Sequence, residues 1–154
     1  MTRHKCLILG ASGLVGQRLQ QRLQNHPLFE IAAVAGSKAT AGRNLSDLEW
    51  RLEDGRPELP NLTVLDANSP DLIENIIQSN ITIAFSALPS DIADSVEKRL
   101  VDAEIMVFSN ASSYRRTPGV PMIIPEINPQ HFSESMHYCA TNCTLIPLAI
   151  PVSA

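Results

Sequence analysis

Two groups of residues in this chain have types and spacing suited to chemistry, and they lie near opposite ends of the sequence. The first is Gly10-Ala11-Ser12-Gly13-Leu14-Val15-Gly16, directly after the apolar run Cys6-Leu7-Ile8-Leu9. A short strand, a glycine turn and a helix in that order form a seat for a pyrophosphate. The backbone can approach an anion closely at the glycines, and the helix N-terminus offers unpaired N–H groups and a partial positive charge. Gly10, Ser12, Gly13, Leu14, Val15 and Gly16 are therefore candidate dinucleotide contacts. The second group is Asn142-Cys143-Thr144. A cysteine thiolate can add to a carbonyl carbon, and the adduct can exchange hydride with a nicotinamide. Together the two groups predict an enzyme that joins a cysteine nucleophile to a nicotinamide cofactor.

Cys143 stands apart from the other two cysteines. Cys6 is inside an apolar strand, and Cys139 lies in Met136-His137-Tyr138-Cys139-Ala140, which also reads as strand, so both are predicted to be buried. Cys143 follows the polar pair Thr141-Asn142 and precedes the apolar stretch Leu145-Ile146-Pro147-Leu148-Ala149-Ile150, which could open a helix. A thiolate is favoured at a helix N-terminus, and the free N–H groups of that first turn could hold the oxyanion formed on attack. Pro147 is tolerable in a first turn, whereas Pro151 is expected to break or kink the segment.

The elements that must position these residues follow from hydrophobic patterning. Apolar runs at 6–9, 31–35, 62–65, 81–85, 105–108 and 122–124 read as strands. Helical patterns fall between them. Residues 14–24 carry a stripe of Leu14, Val15, Leu19 and Leu23. Residues 69–78 open with a capping Ser69 and with Pro70 at the first position. Residues 90–103 start at Pro89 or Ser90 and place Ile92, Val96 and Leu100 on one face. The alternation predicts an α/β chain, a Rossmann-like doubly wound domain around a mostly parallel sheet. Two stretches, 37–60 and 109–121, are too long and polar for compact connections. They are either functional loops beyond the strand ends or solvated surface excursions.

The second strand ends Val34-Ala35-Gly36-Ser37-Lys38, without the carboxylate that an NAD site usually carries there for the ribose hydroxyls. Ser37 could donate a hydrogen bond to a 2′-phosphate, and Lys38 and Arg43 could supply charge, so the cofactor is predicted to be NADP. The alternative is that Lys38 and Arg43 are solvated surface charges. Phe85-Ser86-Ala87-Leu88-Pro89 follows the fourth strand, and the small residues Ser86 and Ala87 leave room for the ligand. That segment is a second candidate cofactor contact, or an ordinary strand-to-helix turn.

Composition narrows the class. The chain has 154 residues, 44% hydrophobic and 18% charged, enough for one core in a globular domain. A formal charge of −4 leaves no basic footprint, so nucleic acid is excluded as an expected partner. No apolar run approaches the ~20 residues a bilayer span requires, and the N-terminal run is too short for a signal peptide. Three cysteines without a secretion signal point to a reducing compartment, so the expected location is cytoplasmic. No metal site is expected.

GASGLVGQ, FSALPSD, SNASSYRR, PEIN at residues 125–128 and TNC together resemble the aspartate-semialdehyde dehydrogenases, particularly their archaeal and fungal-like branch. The likeness covers nearly the whole chain but only the front half of a family member. It implies an NADP-dependent reductive dephosphorylation of L-aspartyl 4-phosphate to L-aspartate 4-semialdehyde through a cysteine thioester, a step of lysine, threonine and methionine biosynthesis. By motif, Cys143 would be the acylated nucleophile, with Asn142 helping to order the site. Arg115 would bind the phosphate of the substrate or free phosphate, with Arg116 able to exchange roles with it. Asn110 would lie near the nicotinamide and the substrate, and the glycine loop, Ser37, Ser86 and Ala87 would contact the cofactor.

The resemblance also implies a domain plan. Residues 1–140 would form the NADP-binding domain, and 141–154 would begin a catalytic and dimerisation domain truncated after its opening. The family's histidine base belongs to that second domain, and His4, His26, His131 and His137 match no motif for it. Family members are homo-oligomers largely through the second domain. Leu145, Ile146, Leu148, Ile150 and Val152 are therefore expected to be left uncovered and to favour disorder or association. Enzymes of the same architecture acting on acetylglutamyl phosphate or malonyl-CoA, and a non-catalytic NADP-binding domain, are the alternatives.

Overall fold

The computed structural model describes residues 2–132 and 134–153. Seven strands form one sheet: β1 (His4–Leu9), β2 (Phe29–Gly36), β3 (Val64–Asp66), β4 (Ile83–Ser86), β5 (Met106–Ser109), β6 (Met122–Ile123) and β7 (His137–Ala140). Their spatial order is β3-β2-β1-β4-β5-β7-β6, and every pairing between these strands is parallel. The chain winds outward from β1 through β2 to β3, then returns to the other side of β1 to continue with β4 and β5. The strand order therefore reverses between β1 and β4, and all carboxyl ends lie along one edge. Ligands of open α/β sheets bind in the crevice at such a reversal.

A parallel sheet is covered on both faces, which explains the unbroken apolar run at the end of β1: Cys6, Leu7, Ile8 and Leu9 are all fully buried. Alternate residues feed two cores. Leu7, Leu9, Ala84 and Val107 pack with Leu72 and Ile76 of α2 (Leu72–Gln78) and with Val96 and Leu100 of α3 (Ser90–Asp102). Cys6, Ile8 and Val34 pack on the other face with Leu23 of α1 (Leu14–Leu23) and with Leu45 and Leu48.

The close approach of α1 to β1 depends on two glycines. Gly10 has φ +77°, and a Cβ there would lie 2.5 Å from the Ala87 carbonyl oxygen. At Gly16 a Cβ would lie 2.1 Å from the Gly10 carbonyl oxygen. Only glycine satisfies both sites.

The structure departs from the sequence expectations in several places. The buried face of α1 is Gly16, Gln17, Gln20 and Leu23, whereas Leu14 and Val15 are 56% and 49% exposed. Two glutamines replace the expected apolar stripe because their amides bond backbone. Gln17 Nε2 donates to the Glu49 carbonyl (2.7 Å) and its Oε1 accepts from Arg51 N (2.8 Å), while Gln20 Nε2 donates to the Ala11 carbonyl (2.7 Å). The stretch 37–60 is consequently anchored to the domain at several points, while most of its residues remain exposed. It holds a turn of 3-10 helix at Leu45–Asp47 and buries Leu45 and Leu48. It also pairs with the approach to β3, with Leu45 N donating to the Leu62 carbonyl (2.8 Å) and Val64 N to the Arg43 carbonyl (2.9 Å). That pairing delays β3 to Val64. The helix expected from residue 69 begins at Leu72, because Ser69 Oγ accepts from Asp71 N (3.2 Å) and closes a turn first.

At the C-terminal end, α4 (Ile146–Ser153) runs through both prolines, so the expected break at Pro151 does not occur. Pro151 leaves the helix without one ladder bond, to the Pro147 carbonyl, and only two further helical residues follow it. None of its residues is buried, and Leu148 and Val152 are 61% and 86% exposed. Among the described residues no helix is long and apolar enough to cross a membrane.

Gly16→Ala is expected to lower unfolding stability by about 1–3 kcal/mol through steric overlap with the Gly10 carbonyl. Gly55→Ala, where a Cβ meets nothing within 4 Å, should change stability by less than about 0.5 kcal/mol. Urea unfolding of the two variants with equal midpoints would contradict this account of α1.

Candidate active site

The loops that leave the carboxyl ends of β1, β2, β4, β5 and β7 are joined by a continuous series of hydrogen bonds. After β1, Gly10 N and Ala11 N both donate to the Ala35 carbonyl of β2 (2.9 and 3.1 Å). After β4, Ala87 N donates to the Leu9 carbonyl (3.0 Å), and after β5, Asn110 N donates to the Ser86 carbonyl (2.9 Å). Arg115 then spans the remaining gap. Its Nε donates to the Ala140 carbonyl of β7 (2.9 Å) and its Nη2 to the Asn110 carbonyl (2.8 Å). The glycine loop and the segment that carries Asn142 and Cys143 thus belong to one edge.

At the glycine loop, Gly13 is the N-cap of α1 and its N–H closes the turn onto the Gly10 carbonyl (3.0 Å). Leu14, Val15 and Gly16 are the first residues of the helix, whose N–H groups have no partner within a helix. A Cβ at Gly13 would meet only the Gly10 carbonyl oxygen at 3.5 Å, an ordinary contact. Gly10 and Gly16 therefore satisfy internal packing, while Gly13 leaves its backbone open to an approaching group. Ser12 is partly exposed beside it.

Ser86 ends β4 and is fully buried, and its Oγ has no hydrogen-bond partner among the described residues. Ala87 follows at the crossing with Gly10. An unpaired buried hydroxyl costs about 1–3 kcal/mol, so a group that pairs with it at this strand end gains that much.

Beyond β2, Ser37 is exposed, and its carbonyl accepts from Thr40 N (2.9 Å) and Ala41 N (3.0 Å) to close a tight turn. Lys38 is exposed on that turn. Arg43 is also exposed, but its Nη2 donates to the Asp47 carbonyl (2.8 Å), which draws it back along the loop.

Around the cysteine, Asn142 caps the turn that leads into α4. Its Oδ1 accepts from Thr144 N (2.8 Å) and its carbonyl from Leu145 N (2.9 Å). Cys143 occupies the first position of that turn and is exposed. The other two cysteines are buried, as their apolar strands predict. Burial, reinforced by Glu30, pushes the Cys6 thiol up to about 12. Burial, then the charge of Glu97 and against that of Arg115, pushes Cys139 up to about 11. Arg115 is half-buried by its two carbonyl bonds, whereas Arg116 is exposed.

The sequence reading missed a buried polar cluster beneath this edge. Glu97 of α3 is fully buried; one carboxylate oxygen accepts from Ser109 Oγ (2.7 Å) and the other lies 2.9 Å from His137 Nε2. Ser109 Oγ in turn accepts from Ala111 N (3.0 Å). The Tyr114 ring packs on His137 at 4.6 Å, and its hydroxyl donates to the Asp94 carbonyl (2.5 Å). Burial, then Asp94, push that phenol up to about 12, which keeps it a donor. A signal for Glu97 was present: it stands among Ala93, Val96 and Leu100, the buried stripe of α3. On the opposite face, a cleft of about 170 Å³ runs beside Leu19, Phe85, Phe108, Phe132 and Tyr138 and reaches the strand ends at Asn110 and Ala140.

Iodoacetamide at pH 8 is expected to label one thiol per native chain, Cys143. The thiolate fractions of Cys6 and Cys139 there should be roughly 10⁻⁴ and 10⁻³, and both should react only after denaturation. Mass mapping that finds Cys139 labelled as fast as Cys143 in the native chain would contradict the burial described.

Comparison with known proteins agrees with this architecture. Residues 5–135 match the family described as semialdehyde dehydrogenase, NAD binding domain. An aspartate-semialdehyde dehydrogenase of Aspergillus fumigatus is 36% identical over 99% of this chain and 44% of its own length. The Archaeoglobus fulgidus enzyme of that name is also 36% identical, over 84% of this chain and 36% of its own length. The crystal structure of the Candida albicans aspartate-semialdehyde dehydrogenase with NADP superposes with a TM-score of 0.85 at 30% identity, over 99% of this chain and 46% of that one. The chain therefore spans less than half the length of the relatives it matches. It belongs to the semialdehyde dehydrogenase family, in the part of that family that forms the NAD-binding domain.

Proposed function

We propose that this chain supplies the cofactor site and the nucleophile of an NADP-dependent aspartate-semialdehyde dehydrogenase, and that residues 1–140 are the cofactor domain and 141–154 the opening of the catalytic one. The observation that carries this reading is the hydrogen-bonded edge that runs from the glycine loop through Asn110 and Arg115 to the β7 end three residues before Cys143. A cofactor and a cysteine must share one reaction centre, and this edge is common to both.

The residues present fit a dinucleotide. Gly13 leaves open backbone, the first N–H groups of α1 suit a pyrophosphate, and Ser86 offers a buried hydroxyl that the chain leaves unpaired. Gly10, Ser12, Leu14, Val15, Gly16 and Ala87 would complete that contact, and Ser37 with Lys38 would meet the 2′-phosphate. Arg43 would join them only by releasing the Asp47 carbonyl. The bound cofactor supplies the hydride that reduces an acyl group to an aldehyde.

The chain's own residues would do the rest. The Cys143 thiolate attacks the acyl carbon of L-aspartyl 4-phosphate, the C–O bond to phosphate breaks, and phosphate leaves with the electron pair as a thioester forms. Arg115 holds the departing phosphate, and its two carbonyl bonds fix the guanidinium plane for that task. Asn142 sets the turn on which the sulfur sits, and Asn110 would stand beside the nicotinamide and the substrate. The proton transfers that complete the cycle would need the histidine base that the family resemblance implies, which none of His4, His26, His131 and His137 matches. These 154 residues alone are therefore proposed to be inactive; Cys143-dependent turnover by them would refute that part.

NADP is expected to bind the chain more tightly than NAD in a calorimetric titration. Lys38→Glu should narrow the difference by about tenfold or more, the equivalent of one charged contact worth roughly 1.5–3 kcal/mol. Equal affinities of the unmutated chain for the two cofactors would overturn the NADP assignment.

A further inference from the structure

We propose that Glu97 and His137 are a positioning pair: the Glu97 carboxylate holds the loop bearing Asn110 and Arg115 in fixed relation to the strand that leads to Cys143. The inference rests on the reading of Arg115 as the anion-binding residue at the cysteine. Glu97 is fully buried on α3, and its two oxygens divide between the two segments that form the site. One takes the Ser109 hydroxyl at the end of β5, next to Asn110; the other takes His137 at the start of β7. Ser109 passes the restraint on, because its Oγ also accepts the Ala111 N–H. The same loop is tied to α3 at two further places, by Ser112 on Ser90 Oγ (2.8 Å) and by the Tyr114 hydroxyl on the Asp94 carbonyl (2.5 Å).

Packing does not explain a carboxylate here. Glu97 occupies the stripe of Ala93, Val96 and Leu100, where an apolar side chain would join helix to sheet without burying a charge. Its hydrogen-bond partners are the two residues that begin the path to Arg115 and to Cys143. Arg115 then closes the ring from above through the Ala140 and Asn110 carbonyls. Loss of the tie from below leaves the loop dependent on Ser90, Asp94 and the Arg115 bonds themselves, and loosens the guanidinium relative to the cysteine.

The test compares alkylation of Cys143 by iodoacetate and by iodoacetamide in the full chain. The reagents differ by one negative charge, so the ratio of their rates reports a cation held near the sulfur and is insensitive to global stability. A charge held within several ångströms is worth about threefold in that ratio at low salt. Arg115→Gln should lower the ratio by about threefold, and Glu97→Ala and Ser109→Ala should do the same. Glu97→Gln, which can keep both hydrogen bonds, should leave it at or above the parent value. The sign is diagnostic: if Glu97 acted only through its charge, removing it would raise the ratio. Should Glu97→Ala fail to fold, Ser109→Ala carries the test, with circular dichroism to establish its fold. A drop in Arg115→Gln together with parent ratios in folded Ser109→Ala overturns the positioning pair alone. Equal ratios in the parent and Arg115→Gln overturn the reading of Arg115 and the pair with it.

Discussion

The contact on which the cofactor half of the molecule depends is that between Gly16 and the carbonyl of Gly10. Because no Cβ intervenes, α1 lies directly against the end of β1. Its placement brings Gln17 and Gln20 into the interior, where their amides bond the 37–60 excursion and the turn after β1. Arg18 continues the attachment at the surface with a 2.9 Å ion pair to Asp54, exposed and so of small energetic weight. One backbone approach therefore orients the helix N-terminus and the loop that borders it. A methyl group at Gly16 would displace both together.

The other half of the edge is organised by polar groups. Ser86 and Ser109 end strands, and His137 and Cys139 stand on β7, on the face covered by α3, where Glu97 connects Ser109 and His137 from below. The neighbouring cysteine responds to this arrangement: burial and the Glu97 charge hold Cys139 protonated, while Cys143, beyond the strand end, is exposed. The sheet thus separates a structural thiol from an accessible one four positions later in the sequence.

Much of this was legible in the sequence. The glycine loop after an apolar run, the alternation of strand and helix patterns, and the small residues after β4 are local signals, and each maps to an element within a few positions. What the sequence did not reveal depends on partners distant along the chain. The amides of Gln17 and Gln20 look like surface residues until the carbonyls they meet are known, so Leu14 and Val15 are expected inside in their place, while Leu19 and Leu23 do face the core. How the 37–60 excursion is anchored is hidden in the sequence because its pairing partners, Leu62 and Val64, lie beyond it. His137 matches no motif, and its role follows only from the 2.9 Å contact with a residue forty positions earlier. The family motif gives Asn142 only the part of ordering the site, and the structure adds that its Oδ1 caps the turn at Cys143.

The central claim is that cofactor loop and cysteine turn share one edge, and two-dimensional NMR of the 16.8 kDa chain titrated with NADP tests it most directly. The account predicts shifts of the Gly13, Leu14, Val15 and Gly16 amides together with those of Ser37, Ala87 and Asn110, with the perturbation extending to Cys143. Shifts confined to the aromatic cleft around Phe108 and Tyr138, with the glycine loop unmoved, would contradict it.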